Sequence, residues 1–234
     1  MTGTIINVIA IFIGSAVGIL FGSRLSENLK NTVIAGMGLF TTAVGVQMFL
    51  KSENALIVLG SLIFGAILGD WWGVEDGLQN LGIWLEKRFS GNSEGGSSHF
   101  VRGFLTASVL FCTGPMAVLG SISDGLRGDY LTLSIKSVLD GFISVAFAST
   151  LGIGVAFAAL PVFIYQGGIS LLAAQLNAIV STSMMNEMTA TGGVLLMGIG
   201  FSSLLEIKKI RVGNFLPALA IAPLIVYVLS LIVK

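Results

Sequence analysis

Apolar runs of about twenty residues follow one another along almost the whole chain, and no other feature restricts its fold so severely. A helix needs about 20 mostly apolar residues, at roughly 1.5 Å rise each, to cross the hydrocarbon core of a bilayer. Residues 4–22, 32–50 and 54–72 meet that length and are parted by the short polar breaks RLSENLK and KSEN. A wetter stretch, 73–100, precedes a fourth run at 101–123. From residue 131 the apolar character continues far enough for two spans, 131–158 and 162–181, with Pro161 between them. Runs 188–205 and 212–233, divided by EIKKIR, complete the set. The expected fold is all-α, a polytopic transmembrane helical bundle of eight spans. The number falls to seven if 162–181, which carries Gln166, Gln175 and Asn177, re-enters or lies along the surface.

Composition closes off the alternatives. Charged residues make up 10% of the chain, against roughly 25% in a soluble domain, so a bilayer must solvate most of the surface. One cysteine, Cys112, and one histidine, His99, exclude a disulfide scaffold and a structural zinc site. Twelve basic residues balance twelve acidic ones, which leaves no electrostatic case for a nucleic-acid partner. The first span has neither a basic segment before it nor a small-residue cleavage site after it, so it is expected to be retained. Arg24, Lys30, Lys87, Arg88, Arg102, Lys208, Lys209 and Arg211 fall on one side of an eight-span topology, and Lys51, Arg127 and Lys234 on the other. The positive-inside rule then places both termini outside.

Between the third and fourth spans, Val74, Leu78, Leu81, Leu85 and Phe89 recur every three or four residues, with Glu75, Asp76, Gln79, Glu86 and Lys87 largely opposite. That pattern predicts an amphipathic helix lying in the membrane interface, flanked by Trp71, Trp72 and Trp84 as aromatic anchors. The following GNSEGGSSH reads as a flexible linker. The chain is thus expected to divide into a three-span unit with its interfacial helix (1–90), a linker (91–100) and a C-terminal membrane unit (101–234).

Small residues every four positions, Ala10-Gly14-Gly18-Gly22 and Ser61-Gly65-Gly69-Gly73, make smooth helix faces that a second backbone can approach closely. They predict tight helix packing, or a homodimer seam along Gly14, Gly18 and Gly22. Residues 43–66 and 198–221 resemble each other: each passes from a glycine-centred span through a lysine-bearing break into a second span. A weaker echo joins 59–70 with 119–129. Internal repeats of this kind are common in transporters, with binding sites between them.

Polar groups inside the spans are the candidates for function. A charge at bilayer depth costs about 2.5–3.5 kcal/mol on insertion scales, so those present pair with each other or line a cavity. Lys136 and Asp140 are four residues apart in the fifth span and so share one helix face. In Phe111-Cys112-Thr113-Gly114-Pro115-Met116, Pro115 lacks an N–H and clashes with the Phe111 carbonyl, which predicts a kinked or discontinuous fourth span with backbone carbonyls released. Asn186 and Glu187 open the seventh span, as an N-cap in one reading. In the other reading Glu187, Thr189, Thr191, Gly192 and Gly193 line the cavity that Thr113 and Gly114 face. Asn7 and Gln47 read as interhelical hydrogen-bonding amides. Asp70, Asp124 and Asp129 fall at an interface or in loops. No motif for nucleophilic, metal or phosphate chemistry occurs, and no cofactor is implied.

The segments GTIINVIAIFIGSAVGILFG, LFCTGPMAVLGSISDGLRGD with KSVLDGF, and EMTATGGVLLMGIG with KKIRVGNFLPAL resemble, in the same order, the YqgA/YdfK-like family of bacterial multi-pass inner-membrane proteins. The resemblance implies bacterial origin, the cytoplasmic membrane and an unassigned transport role, and carries no site residues over. The expectation is a small secondary transporter or permease for a polar solute, proton- or cation-coupled through Asp140 and homo-oligomeric, with lipid and the solute as its partners. The alternatives are a non-transporting membrane scaffold or sensor subunit, and a channel.

Overall fold

The computed structural model describes residues 1–22, 24, 26–89, 96–112 and 114–232, with the side chains of all of these except 27, 30, 81, 82, 85–89, 96–99, 115 and 203. Helices account for nearly all of it: α1 (Thr2–Gly22), α2 (Glu27–Phe49), α3 (Ala55–Trp72), α4 (Val74–Phe89), α5 (Gly96–Cys112), α6 (Pro115–Arg127), α7 (Leu131–Leu151), α8 (Gly154–Phe157), α9 (Ala159–Leu171), α10 (Ala173–Ile179), α11 (Thr182–Ile199) and α12 (Ala218–Ile232). A π-helical segment, Gly200–Leu204, extends α11, and a 3-10 turn, Val212–Phe215, leads into α12. Among the described residues, six stretches are long and apolar enough to cross a membrane, or seven if the bent pair α5–α6 counts as one span. Helix α11 is less apolar because it is an inside helix: eleven of its residues, from Met184 to Ile199, are buried. Lipid-facing side chains such as Phe12, Leu20, Phe64, Phe142 and Ile164 are exposed, as a bilayer solvent requires.

The elements gather into two compact units that cut across chain order, Met1–Met37 with Leu81–Ile179, and Gly38–Asn80 with Val180–Lys234. This differs from the contiguous division at 1–90 and 101–234, because α2 and α4 each contribute one part to either unit. Of the expected linker, 91–95 lies outside the described residues, and 96–100 is already the first part of α5.

In the first unit α1 and α7 run parallel in a fixed register. A Cβ at Gly14, Gly18 or Gly22 would overlap the carbonyl oxygen of Gly141, Val145 or Ser149 in turn, the same offset at every step. The glycine strip of α1 is therefore filled within the chain, which corrects the idea that it serves as a homodimer seam. Helices α5–α6 run the other way. Gly103 lies against Leu151 at the far end of α7, whereas Gly120 lies against Leu133 near its start and Asp124 Oδ2 accepts the Gly3 N–H (2.9 Å). So the bent pair α5–α6 reaches both ends of α7, and Asp124 is a buried residue of α6 and not a loop residue. Helices α8–α9 run beside it from Gly154, against the Phe100 carbonyl, to Ser170, whose Oγ donates to the Ser121 carbonyl (2.9 Å).

That path also moves a predicted boundary. The long apolar run is cut at Gly152, which adopts φ 74°, and not at Pro161, so the sixth span is 154–171 instead of 162–181. Pro161 sits in the first turn of α9, where a missing N–H costs no helical bond.

In the second unit, α2 packs antiparallel to α11, with Gly45 and Gly193 reciprocally placed so that a Cβ on either would crowd the other's carbonyl oxygen (2.6 and 2.5 Å). Helix α3 packs antiparallel to α12 through Gly65 against Ala218 and Gly69 against Asn214. The hairpins α2–α3 and α11–α12, which contain the similar segments 43–66 and 198–221, thus run in opposite senses. Gly73, in the left-handed conformation at φ 63°, ends α3 and starts α4. Glu75 is buried there and not on an outward face: its Oε2 accepts the Gly213 N–H (2.7 Å), and its own N–H donates to Asn214 Oδ1 (2.9 Å).

Candidate functional site

Two buried charges of the first unit, Lys136 and Asp140, come together as the spacing predicts. Helix α7 is 21 residues long, and Asp140 lies about 13 Å from its start by the helical rise. Lys136 Nζ and Asp140 Oδ2 form an ion pair one turn apart, with both residues buried. Asn7 of α1 completes the cluster by donating from Nδ2 to the same Oδ2 (3.0 Å). The Lys136 ammonium also lies over the Phe111 ring, 5.7 Å from its centroid, a cation–π contact with the last turn of α5. Cys112 is within electrostatic range of both Lys136 and Asp140, and Tyr165 of α9 within range of Cys112. The cluster therefore joins α1, α5 and α7, with α9 behind.

The interruption of the fourth span stands beside it. Gly114 adopts φ 140°, ψ 154°, outside the reach of an ordinary L-residue, and Pro115 opens α6, whose axis departs from that of α5 by 61°. Thr113 lies outside the described residues, as does the Pro115 side chain.

Among the described residues of the first unit, six fully buried side chains carry a polar atom with no protein hydrogen-bond partner: Thr4, Asn7 (Oδ1), Ser15, Thr106, Ser144 and Gln166, the last at both ends of its amide. Gln166 shares one face of α9 with Ser170, which touches α6. Apart from Asn7, sequence reasoning did not single these residues out as site residues. Their signal was present, polar side chains in otherwise apolar helices, but Ser and Thr usually satisfy themselves on the carbonyl four residues back, and only the fold shows which do not.

Helix α11 places its candidates differently. Ser181, not Asn186, caps it, with Oγ accepting the Met184 N–H (3.2 Å). Glu187 is buried in the second turn, where its carboxylate accepts from Glu53 N–H (2.7 Å), Asn54 N–H (2.8 Å) and Ser52 Oγ–H (2.8 Å). Its partners are the 51–54 turn and the start of α3, so it is a clamp between the two hairpins of the second unit. Glu53 reaches back to Ser183 Oγ (2.7 Å) and Asn186 Nδ2 (2.7 Å), and these two hydrogen bonds hold its carboxyl below the ordinary range. Thr189 and Thr191 are buried, Thr191 Oγ1 without a protein partner, and Gly193 is used against Gly45; Gly192 is likewise buried. These residues belong to the second unit, Lys136, Asp140 and Gly114 to the first.

Successive apolar helices, lipid-facing apolar side chains and a buried ion pair define a multi-pass integral membrane protein. Residues 2–227 match the family described as "Protein of unknown function (DUF554)", and the chain belongs to that family. It is 34% identical over 233 residues to the uncharacterized membrane protein YdfK of Bacillus subtilis (strain 168), covering 98% of this chain and 97% of the relative. It is 30% identical over 222 residues to the uncharacterized protein YqgA of Escherichia coli (strain K12), covering 94% of each. No solved structure matches the chain.

Proposed function

We propose that this protein is a small secondary transporter or permease for a polar solute, residing in the bacterial cytoplasmic membrane and carrying out no covalent chemistry. The observation that carries this reading is the Lys136–Asp140–Asn7 cluster, buried beside the interrupted α5–α6 span. A buried ion pair is a poor device for stability, because apolar residues of the same volume do as well or better. Its presence next to the break at Gly114–Pro115 fits a place where a solute or ion exchanges for protein groups. Asp140 binds or releases the coupling ion, and Lys136 sets its affinity. The opposed senses of the α2–α3 and α11–α12 hairpins fit the inverted repeats of transporter folds. With eight crossings, the basic breaks gather in the cytoplasm and both termini face out.

A thermal-shift screen of purified protein against ions and small polar metabolites tests the reading, since a ligand bound only by the folded form raises the unfolding temperature. A hit that loses its shift in Asp140→Asn and accumulates in wild-type proteoliposomes is the expected result. Shifts that survive Asp140→Asn unchanged, or no accumulation of any hit, would refute it.

A further inference from the structure

The ion pair of the first unit is not sealed. Asn7, Thr106, Ser144 and Gln166 have no exposed surface, whereas the side chains of Lys136 and Asp140 keep 8% and 7%. A Cβ built on Gly114 would meet no atom within 4 Å, so the break in the fourth span borders open space, and Cys112 beside it is only partly buried. Packing fixes the level of that opening. Helix α6 runs antiparallel to α7, with Gly120 against Thr132 and Leu133. One turn back on α6 and one turn on along α7 bring Met116 level with Lys136, and the Phe111 ring meets the same ammonium from the last turn of α5. The break and the ion pair therefore stand at one depth.

Opposite electrostatic signs meet there. Lys136 supplies a cation, and α6 begins at Pro115 without a side-chain cap, so the positive end of its dipole stands at the break. Asp140 supplies an anion. Asn7 is fully buried and donates from Nδ2 to Asp140 Oδ2, which puts its Oδ1, an acceptor with no protein partner, beside the same carboxylate. A ligand that meets all of these groups carries a carboxylate for Lys136 and α6 and N–H donors for Asp140 and Asn7. Lys136 and Asp140 are in contact, so the ligand's two charges must lie close together. The zwitterion of an α-amino acid has both on one carbon. It also leaves the net charge of the site unchanged, whereas a lone anion or cation would strand one member of the pair at membrane depth.

We propose that the opening at Gly114 leads to a binding site for an α-amino acid, whose carboxylate takes Lys136 and the start of α6 and whose ammonium takes Asp140 and Asn7 Oδ1. The inference rests on the reading of Asp140 as the exchanging carboxylate of a transporter and names the solute: the cation that Asp140 exchanges is the solute's own ammonium. Binding parts the resident ion pair and replaces it with two, and no covalent bond changes. Asn7 Oδ1 demands an N–H, so a quaternary ammonium analogue is rejected, as a site built to receive a hydrogen bond rejects a ligand that lacks the donor.

Thermal unfolding of the purified full chain against the common α-amino acids, glycine to tryptophan, tests the site. At least one is expected to raise the unfolding temperature by about 5 °C or more at a hundredfold excess over its Kd. Acetate, methylamine and glycine betaine, which lack one charge or the N–H, should give no shift. Lys136→Met combined with Asp140→Leu removes both charges together, a change that buried pairs tolerate, and should lose the response. No shift from any amino acid, a shift from acetate, methylamine or glycine betaine equal to that of the best amino acid, or a response kept in the double variant would overturn the inference. If a solute of another class shifts wild type and accumulates in proteoliposomes, the amino-acid site fails and the transporter reading stands. An amino acid that binds wild type, is lost in the double variant and never accumulates would support the site and refute the transporter.

Discussion

Replacing Glu187 should damage the second unit more than any other single change to a charged residue there. Its carboxylate receives three hydrogen bonds, two from the backbone N–H groups of Glu53 and Asn54 and one from Ser52, at the start of α3 where the helix dipole also favours a negative charge. Hydrogen bonds to a charged group are worth roughly 1.5–3 kcal/mol each. Glu53 and Asn54 are exposed, so water replaces part of what Glu187→Ala removes, and the expected loss is about 3 kcal/mol. Glu187→Gln keeps the shape and one good acceptor oxygen for the two backbone donors, and should lose about 1 kcal/mol. Reversible unfolding in mixed micelles, followed by tryptophan fluorescence, measures both. A Glu187→Ala protein within about 0.5 kcal/mol of wild type, the level of an ordinary surface change, would refute the clamp.

Further outcomes follow from the same geometry. Glu53 is held in its charged form by Ser183 and Asn186, so its contribution is complete above the ordinary carboxylate range and is lost as pH falls through its lowered native pKa. The stability gap between wild type and Glu53→Gln should therefore be open at neutral pH and close in acid; a gap that widens on acidification would contradict this. Gly18→Ala drives a Cβ into the Val145 carbonyl and should cost at least about 1–3 kcal/mol, as overpacking does. Gly36→Ala in α2 meets nothing within 4 Å and should gain about 0.5–1 kcal/mol of helix propensity. Equal effects in the two glycine variants, read by the same unfolding titration, would show that the α1–α7 approach is looser than described.

Run length made the helices legible, since a bilayer imposes its thickness on sequence in a way no soluble core does. Their ends were less so. Pro161 looks like the strongest breaker in the fifth and sixth spans, but a proline in the first turn of a helix is harmless, and the interruption belongs to Gly152 through its positive φ. The Lys136–Asp140 pair was visible because a four-residue spacing is a contact in any helix. Asn7 was visible as an amide in a span, but not as the partner of Asp140, because pairing across 133 residues is written only in the fold. Glu187 and Glu75 failed for the same reason: each was placed by its own helix, and each is held by the backbone of another segment.

Solute or proton uptake by proteoliposomes carrying Asp140→Asn bears most directly on whether the buried pair serves transport or packing. Asparagine preserves the side-chain volume and leaves Asn7 and Lys136 near at hand, so the variant should insert and fold while transport disappears. Uptake at the wild-type rate from correctly folded Asp140→Asn protein would contradict the account and leave the pair as a packing device.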